Sequence, residues 1–253
     1  MDIKELKLSF SSLKQFGKSP AHFVGYKKRI FKQSAPMRRG WLTHLLTLEP
    51  DKLSELIVLD VATRANKTYK EAALSHPKGD EGVFTTKEVQ EAQKLADAVR
   101  AHPLAYKLIS EAVELEKHLH WQMDGVNFHG FADVIGKDYV ADLKITDNEP
   151  KKMQRWVMDN LYHMQLAMYK EAVFPGEHVP SYLISCDPNA PHGVVVYELS
   201  REMMREGINQ ARLEITMFKV WYADWDGESM PRSYDYYERE NEPMILELPN
   251  WYK

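Results

Sequence analysis

The feature of this sequence that most constrains its fold is a pair of apolar stretches with charged residues at positions where a buried strand would normally have none. Residues 126–135 and 139–145 are predicted to form strands joined by a short turn. Asp133 lies in the first strand, and Asp142 and Lys144 lie in the second. Since strand residues two apart point to the same face, Asp142 and Lys144 share a face, and the turn brings Asp133 alongside them. Two carboxylates and an ammonium group are therefore expected to converge on one sheet face.

This trio is suited to the hydrolysis of phosphodiester bonds. Carboxylate oxygens can hold Mg²⁺ against a phosphate, where the ion stabilises developing charge and lowers the pKa of a bound water. A lysine can position or deprotonate the attacking water, and its charge offsets that of the transition state. An Asp-x-Lys triplet alone is common by chance, most often as a surface ion pair, so its interpretation depends on what accompanies it.

The remaining pattern predicts an α/β fold with a central mixed sheet of about four or five strands flanked by helices. Helices are predicted from Ser9 or Ser11 through Phe16, from Pro20 through Tyr26, over 36–48, over 87–112 with an interruption at His102–Pro103, over 151–173 as one long helix, and over about 200–222. Further strands are predicted over 114–122, 181–186 and 193–199, with a hairpin turn at Asp124–Gly125.

Composition indicates a globular protein of the cytoplasm. No apolar run approaches the ~20 residues that span a bilayer, and the N-terminus lacks the pattern of a signal peptide. Cys186 is the only cysteine, which excludes an internal disulfide and a four-cysteine zinc or iron–sulfur site. The net charge is −4, but residues 1–40 carry ten Lys/Arg against two acidic residues, which is +8 and leaves −12 for the rest. This basic segment could track phosphates or simply form solvated helix faces.

Several motifs accompany the charged strands in a particular order. A Gly-x-x-Asp that ends at Asp133 precedes the Asp-x-Lys triplet, which is followed by Ile145 and Thr146. The next helix contains YHMQLAMY, and the upstream segment RGWLTHLLTLEP places His44 four residues after a glycine. Over residues 9–200 this combination resembles the RecB-like branch of the PD-(D/E)XK nuclease superfamily, and most closely the phage exonuclease VIII (RecE-type) proteins. Each motif alone is weak, whereas their order is specific.

The resemblance implies a restriction-endonuclease-like fold and a metal site. Asp133 and Asp142 would be the main ligands of Mg²⁺, for which Mn²⁺ would substitute, and the Leu143 carbonyl would be a third ligand. His44 would complete the shell of the first metal. Glu116 would support a second metal or a water, although Glu114 lies two residues away and leaves that assignment open.

The resemblance also implies catalytic roles, in which Asp133 and Asp142 take part. Lys144 would orient the nucleophile. Gln165 would lie near Lys144 or the phosphate, and Tyr169 would help to position it, since the two are four residues apart on one helix face. Tyr162 completes the family motif and is expected in the core or in a groove.

The implied function is 5′→3′ digestion of linear double-stranded DNA ends, which leaves a 3′ single strand for a recombination annealing protein. A homo-oligomeric ring and a place in the bacterial host cytoplasm, if the protein comes from a phage, belong to the same expectation. Residues 1–253 would form a single nuclease domain, composed of a mainly helical portion (1–112), a catalytic core (113–222) and an acidic aromatic tail (223–253). The alternatives are an endonuclease or single-strand nuclease of the same superfamily, or a non-catalytic DNA-binding module.

Three further histidines lie near the predicted site in the sequence, namely His118, His120 and His129. Such a group could suggest zinc, but neither a helical H-x-x-x-H pair nor a cysteine partner accompanies it. They are therefore interpreted as strand-face residues or DNA contacts.

Overall fold

The computed structural model describes residues 6–28 and 34–231. Its helices are α1 (Phe10–Lys18), α2 (Pro20–Lys27), α3 (Ala35–Leu48), α4 (Lys67–Ser75), α5 (Thr86–Ala101), α6 (Pro103–Ser110), α7 (Met153–Asp159), α8 (Tyr162–Val173) and α9 (Arg201–Asp224). Its strands are β1 (Lys7–Leu8), β2 (Ile57–Leu59), β3 (Val83–Thr85), β4 (Glu114–Met123), β5 (Val126–Ile135), β6 (Val140–Ile145), β7 (Ser181–Cys186) and β8 (Val194–Glu198). Short 3₁₀ turns occupy Pro50–Glu55, Gly79–Gly82 and Pro150–Lys152.

Within these described ranges, six strands form one mixed sheet in the order β1-β5-β6-β7-β8, with β4 paired to β5 as well. The pairs β4–β5, β5–β6 and β7–β8 are antiparallel, whereas β1–β5 and β6–β7 are parallel. The short strands β2 and β3 form a separate parallel pair. The predicted α/β class with a central mixed sheet is confirmed. The additional strand β1 contains two residues, too few to show an alternating pattern.

Side-chain caps begin most of the predicted helices where the sequence placed them. Ser9, rather than Ser11, caps α1 through a reciprocal pair of hydrogen bonds with Ser12. His102 caps α6 directly before a proline, which confirms the interruption between α5 and α6. The hairpin turn is also confirmed, because Asp124 and Gly125 have φ values of 49° and 82°, as a two-residue primed turn requires.

The single helix predicted over 151–173 is wrong. Two helices occupy this stretch, and α7 ends at Asp159 before α8 begins at Tyr162. Between them Leu161 adopts the left-handed conformation with φ 58°, which costs a non-glycine residue roughly 1–2 kcal/mol. Leu161 packs against the apolar cluster between α1, α8 and α9. This tertiary contact offsets the local preference for continuous helix.

Two helical layers cover the sheet. On one side, Leu95 and Val99 of α5 pack with Val134 and Leu143 of the central strands. On the other side, α7 and α8 contact the sheet, and α1, α2 and α9 complete an aromatic cluster around Phe218. None of the described helices is long and apolar enough to cross a membrane.

Arg38, at the start of α3, is a buried cation with hydrogen bonds to several neighbouring elements. Its side chain is 2% exposed, and its guanidinium lies 4.4 Å from the centre of the Phe84 ring. The guanidinium nitrogens donate to the Asp80 carbonyl (2.7 Å), the Val83 carbonyl (2.8 Å), the Tyr69 hydroxyl (3.1 Å) and Glu88 Oε1 (3.3 Å). Arg38 therefore ties α3 to α4, β3 and α5.

The burial of Arg38 corrects part of the interpretation of the basic segment, because this side chain is not available to a phosphate. The other basic residues of 1–40 divide into exposed ones (Lys7, Lys18, Lys27, Lys28), half-buried ones (Lys14, Arg39) and ones outside the described residues (Lys4, Arg29, Lys32). Residues 232–253, most of the predicted acidic tail, also lie outside the described residues. The division into one domain stays a prediction.

Replacing Arg38 with alanine should lower the free energy of unfolding by about 3–5 kcal/mol, because Glu88 and two backbone carbonyls would lose a buried charged partner. Urea titration followed by circular dichroism measures this change. The matched control is Arg155→Ala, whose side chain is 85% exposed and pairs with Asp159 one turn away. This control should change stability by about 0.5 kcal/mol or less. Equal effects of the two variants would contradict the proposed tie.

Candidate metal centre

The candidate site lies where two central strands separate. β5 and β6 pair only through Val134 with Ala141 and Ile135 with Val140. Beyond these pairs β5 continues beside β1 and β6 continues beside β7. Asp133 is the first residue of β5 past the ladder, and its Oδ2 accepts a hydrogen bond of 2.7 Å from the Leu143 backbone N–H. Because the strands separate here, the Leu143 N–H has no carbonyl partner on β5. It binds the Asp133 carboxylate instead and holds it between the strands.

Helix α3 brings a histidine to this carboxylate. His44 Nδ1 lies 3.4 Å from Asp133 Oδ2 and 3.6 Å from Glu116 Oε1. One ligand atom from each of the three residues lies within 4.8 Å of the others. Two carboxylates and an imidazole within this distance could hold a divalent cation.

Glu116 reaches the cluster through an unusual backbone conformation. Its φ is 47°, although the residues on both sides of it pair regularly with β5. A left-handed residue inside a strand is uncommon and costs of order 1–3 kcal/mol, and such strain concentrates at functional sites. Glu114, the alternative that the sequence left open, is engaged by Lys117 at 2.8 Å instead. Of the two carboxylates, Glu116 is therefore the one that lies in the cluster.

Asp142 occupies the same region but is held differently. It is 1% exposed, its Oδ2 forms an ion pair with Lys144 Nζ, and its Oδ1 has no hydrogen-bond partner among the described residues. A buried carboxylate oxygen without a partner is costly. A cation ligated by this oxygen would satisfy it, so Asp142 suits a ligand role even though it lies outside the group formed by His44, Glu116 and Asp133.

The charges of the cluster are not balanced by its own side chains. Glu116, Asp133 and Asp142 carry three negative charges, and Lys144 supplies one positive charge. With His44 neutral, two negative charges remain, which is the charge that a divalent cation neutralises. A donor set of carboxylate oxygens and one imidazole fits such an ion.

The pKa shifts have the same origin. Burial raises the pKa of Asp142 to about 6, with Lys144 opposing the shift and Asp133 adding to it. Burial also raises the pKa of Asp133, although His44 and Lys144 oppose this. Burial by itself would lower the pKa of His44, but Asp133 and Glu116 outweigh it and raise that pKa. Without a metal, these three groups therefore bind protons more readily, and the protons supply positive charge that the cluster lacks.

Lys144 stays charged at neutral pH. Burial by itself favours its neutral form, but the charges of Asp142 and Asp133 outweigh burial and raise its pKa above the usual value. The ammonium lies 5.0 Å from the centre of the Tyr162 ring, at a distance typical of a cation–π contact. Tyr162, expected in the core or a groove, thus contacts the predicted catalytic lysine.

Gln165 and Tyr169, the other two residues of the family motif on α8, lie one turn apart. Tyr169 is buried, its hydroxyl is hydrogen-bonded to the Gln165 side chain, and burial raises its pKa to about 12. Its ring packs at right angles to Trp121, with 5.8 Å between the ring centres. A methyl group at Gly130 would come within 2.7 Å of the Tyr169 hydroxyl, so the glycine makes room for this ring. The pairing agrees with a positioning role. The catalytic roles of both residues stay predictions, as does the role of the Leu143 carbonyl as a metal ligand.

Lys14 is a residue near the site that the sequence did not single out. Its Nζ lies 5.1 Å from the centre of the Tyr162 ring and 3.5 Å from Asn160 Oδ1. Burial, together with the positive charges of Lys18 and Lys144, lowers the pKa of Lys14 to about 8. The contact exists because the chain turns between α7 and α8. Asparagine often ends helices, so Asn160 was the one signal in the sequence for that turn.

The sequence model of a family described as "PDDEXK-like domain of unknown function (DUF3799)" matches residues 9–232. No curated protein matches the chain in sequence. A crystal structure named "putative exonuclease", from Eubacterium rectale, is 16% identical with a TM-score of 0.61, over 97% of this chain and 91% of that chain. This likeness shows a shared fold.

A second solved structure, of the protein SSO0001, is 15% identical over 82% of this chain and 86% of that chain. Its TM-score of 0.30 is too low to indicate the same fold.

Replacing Glu116 with glutamine should weaken binding of Mn²⁺ by about 10- to 100-fold, because the amide removes one negative ligand from the cluster. Isothermal titration calorimetry of the metal-free protein with Mn²⁺ measures the affinity. The matched control is Glu114→Gln, two residues away, which should leave the affinity unchanged. If Glu114→Gln weakened binding more than Glu116→Gln, the assignment would be reversed.

Metal binding should strengthen as pH rises through about 6, since Asp142 and its raised-pKa neighbours His44 and Asp133 must lose protons before they can bind a cation. For each proton that the metal must displace, the affinity for Mn²⁺ falls by up to about tenfold for every pH unit below the pKa of the protonated group. Mn²⁺ titrations at about pH 5.5 and about pH 7.5 test this expectation. Affinity that does not change between the two would show that these groups are not ligands.

Proposed function

This chain belongs to the DUF3799 family of PDDEXK-like domains, and on that premise we propose that it is a metal-dependent deoxyribonuclease that hydrolyses phosphodiester bonds from DNA ends. The observation that carries the proposal is the meeting of His44, Glu116 and Asp133 at the split between β5 and β6, beside the Asp142–Lys144 ion pair. These groups come from four separate elements, and they combine metal ligands with a buried cation.

Each group has a role in this proposal. His44, Glu116 and Asp133 would hold a divalent cation, and Asp142 would offer its unpartnered oxygen as a further ligand. When bound, the cation would neutralise charge on the scissile phosphate and acidify a water. Mg²⁺ is the proposed physiological ion because most of the donors are hard oxygens, and Mn²⁺ substitutes because it also accepts imidazole.

Lys144 acts through its charge rather than as a base. Its raised pKa keeps the ammonium protonated at neutral pH. A protonated lysine donates hydrogen bonds to the attacking water and to the phosphate, and it stabilises negative charge that develops there. The Tyr162 ring restricts the position of the ammonium from one side. Gln165 and Tyr169 support this arrangement from the next turn of α8.

DNA is the proposed substrate, and 5′→3′ digestion of linear duplex ends is the proposed reaction. The resemblance to RecE-type exonucleases supports this choice, as does the fold shared with a protein named "putative exonuclease". Exposed lysines of α1 and α2, and Lys14 beside Tyr162, supply positive charge for phosphates. A ring of identical subunits and an annealing partner that receives the 3′ strand complete the proposal.

Two other functions are separated from this one by the choice of substrate. An endonuclease of the same superfamily would cut closed circular DNA, and a single-strand nuclease would prefer unpaired strands. A non-catalytic binding module would lack a reason to keep a buried, strained and charged cluster, because such a cluster lowers stability.

Lys144→Ala should reduce the release of nucleotides from linear duplex DNA in Mg²⁺ by about 100-fold or more, as expected when a charged group at the transition state is removed. Release from strands labelled at the 5′ or the 3′ end also gives the polarity. The matched control is Lys67→Ala, an exposed lysine on α4 that should leave activity unchanged.

Closed circular duplex should stay intact with the wild-type protein. Cleavage of the circle would favour the endonuclease. Equal activity of Lys144→Ala and the wild type would remove the proposed role of this lysine.

A further inference from the structure

Four aromatic and imidazole rings lie together on one face of the β4–β5 hairpin. In the antiparallel register His118 is opposite Phe131, and His120 is opposite His129. Residues directly opposite each other in an antiparallel pair project from the same face. We call these four residues the hairpin ring face. The other face of the hairpin contributes Phe128 and its neighbours to the core.

Three of the rings (His118, His120 and Phe131) are exposed and His129 is half-buried, and the rings are already arranged for stacking. His118 and Phe131 stack in parallel, with 4.5 Å between ring centres and 8° between planes. His118 also lies 4.3 Å from His120 and 5.9 Å from His129. Phe131 is 52% exposed to solvent. An exposed apolar ring on a rigid strand is a platform on which a further flat ring can stack.

The hairpin ring face begins directly beside the candidate metal centre. His118 follows Glu116 by two residues on β4, and Phe131 precedes Asp133 by two residues on β5. Two residues of strand span about 7 Å, so the four residues from Asp133 to His129 span about 13 Å. This length is about four times the ~3.4 Å rise of a stacked nucleotide.

Positive charge accompanies the rings. Burial lowers the pKa of His129, and the nearby charges of His118, Lys27, His120 and Lys7 lower it further. Lys7 is placed there by the pairing of β1 with the start of β5. A face with exposed rings and two nearby lysines is complementary to a single DNA strand, which offers flat bases and phosphates.

We infer that the hairpin ring face binds unpaired bases of the DNA strand whose phosphate lies at the metal centre, with Phe131 and His118 as the stacking surface. This inference rests on the proposed function for its choice of ligand. It adds a binding site for single-stranded DNA that extends from the metal centre along the hairpin for a few nucleotides.

Two other occupants fit the face less well. A metal bound by the three histidines would need their nitrogens close together. Among the residues that the structure describes, the only group of three or more potential ligands this close together is His44, Glu116 and Asp133. A second copy of the chain would bring the same lysines opposite themselves, and like charges repel.

The test is binding of fluorescent oligonucleotides in EDTA, where no metal supports cleavage. The wild-type chain is titrated into a thymidine strand of about ten nucleotides and into a strand of equal length with abasic sugars. Phe131→Ala should weaken binding of the thymidine strand by about 5- to 100-fold, the loss expected from one base stack, and should leave binding of the abasic strand unchanged. Phe131→Trp should bind like the wild type.

The matched control is Tyr106→Ala, which removes a ring of similar exposure (56%) on α6 and should leave both affinities unchanged. An equal loss with both strands would show that Phe131 supports the fold or phosphate contacts rather than stacking, and would overturn the inference. So would wild-type affinities that do not differ between the two strands, or tight calorimetric binding of Zn²⁺ that His118→Ala abolishes.

Because cleavage plays no part in this measurement, its outcome is independent of the nuclease assay. A chain that degrades DNA but binds the two strands equally refutes the stacking site alone. A chain that prefers the thymidine strand through Phe131 but does not degrade DNA refutes the nuclease alone.

Discussion

The separation of β5 from β6 after two residue pairs is the constraint on which the site depends. A continuous ladder would give the Leu143 N–H a backbone carbonyl and would leave no space for a side chain between the strands. Because the strands diverge, this donor binds Asp133 Oδ2 instead. The same divergence leaves the first part of β5 free to pair with β1, while β6 pairs with β7. One departure from regular pairing therefore fixes the central carboxylate and sets the order of the sheet.

The partners of Asp133 reach it from elements that the rest of the fold holds in place. His44 lies on α3, whose first turn is tied to α4, β3 and α5 by Arg38. Glu116 reaches the cluster only by way of a strained φ. A local conformation of this cost persists only where the surrounding structure determines it. Here the regular pairing of β4 with β5 on both sides of Glu116 provides that determination.

The features of the cluster that favour metal binding also lower the stability of the metal-free fold. Buried carboxylates with raised pKa values, a buried oxygen without a partner and a strained residue all reduce the stability of the metal-free chain. The same features favour a divalent cation, since its two charges balance the cluster. They also keep Lys144 protonated beside the place where a phosphate would lie. The cost to folding and the capacity to bind thus have a single physical origin.

The sequence by itself determined whatever depends on local pattern. The apolar stretches and the turn over 126–145 predicted the strands and the shared position of Asp133, Asp142 and Lys144. Residues such as Ser9 and His102 predicted helix boundaries. Tertiary structure decided what depends on contacts between distant segments. The break at Leu161 that brings Tyr162 to Lys144, the presence of Glu116 rather than Glu114 in the cluster, and the burial of Arg38 could not be read from spacing. Periodicity records which face of one element is apolar, whereas these outcomes depend on which other element that face meets.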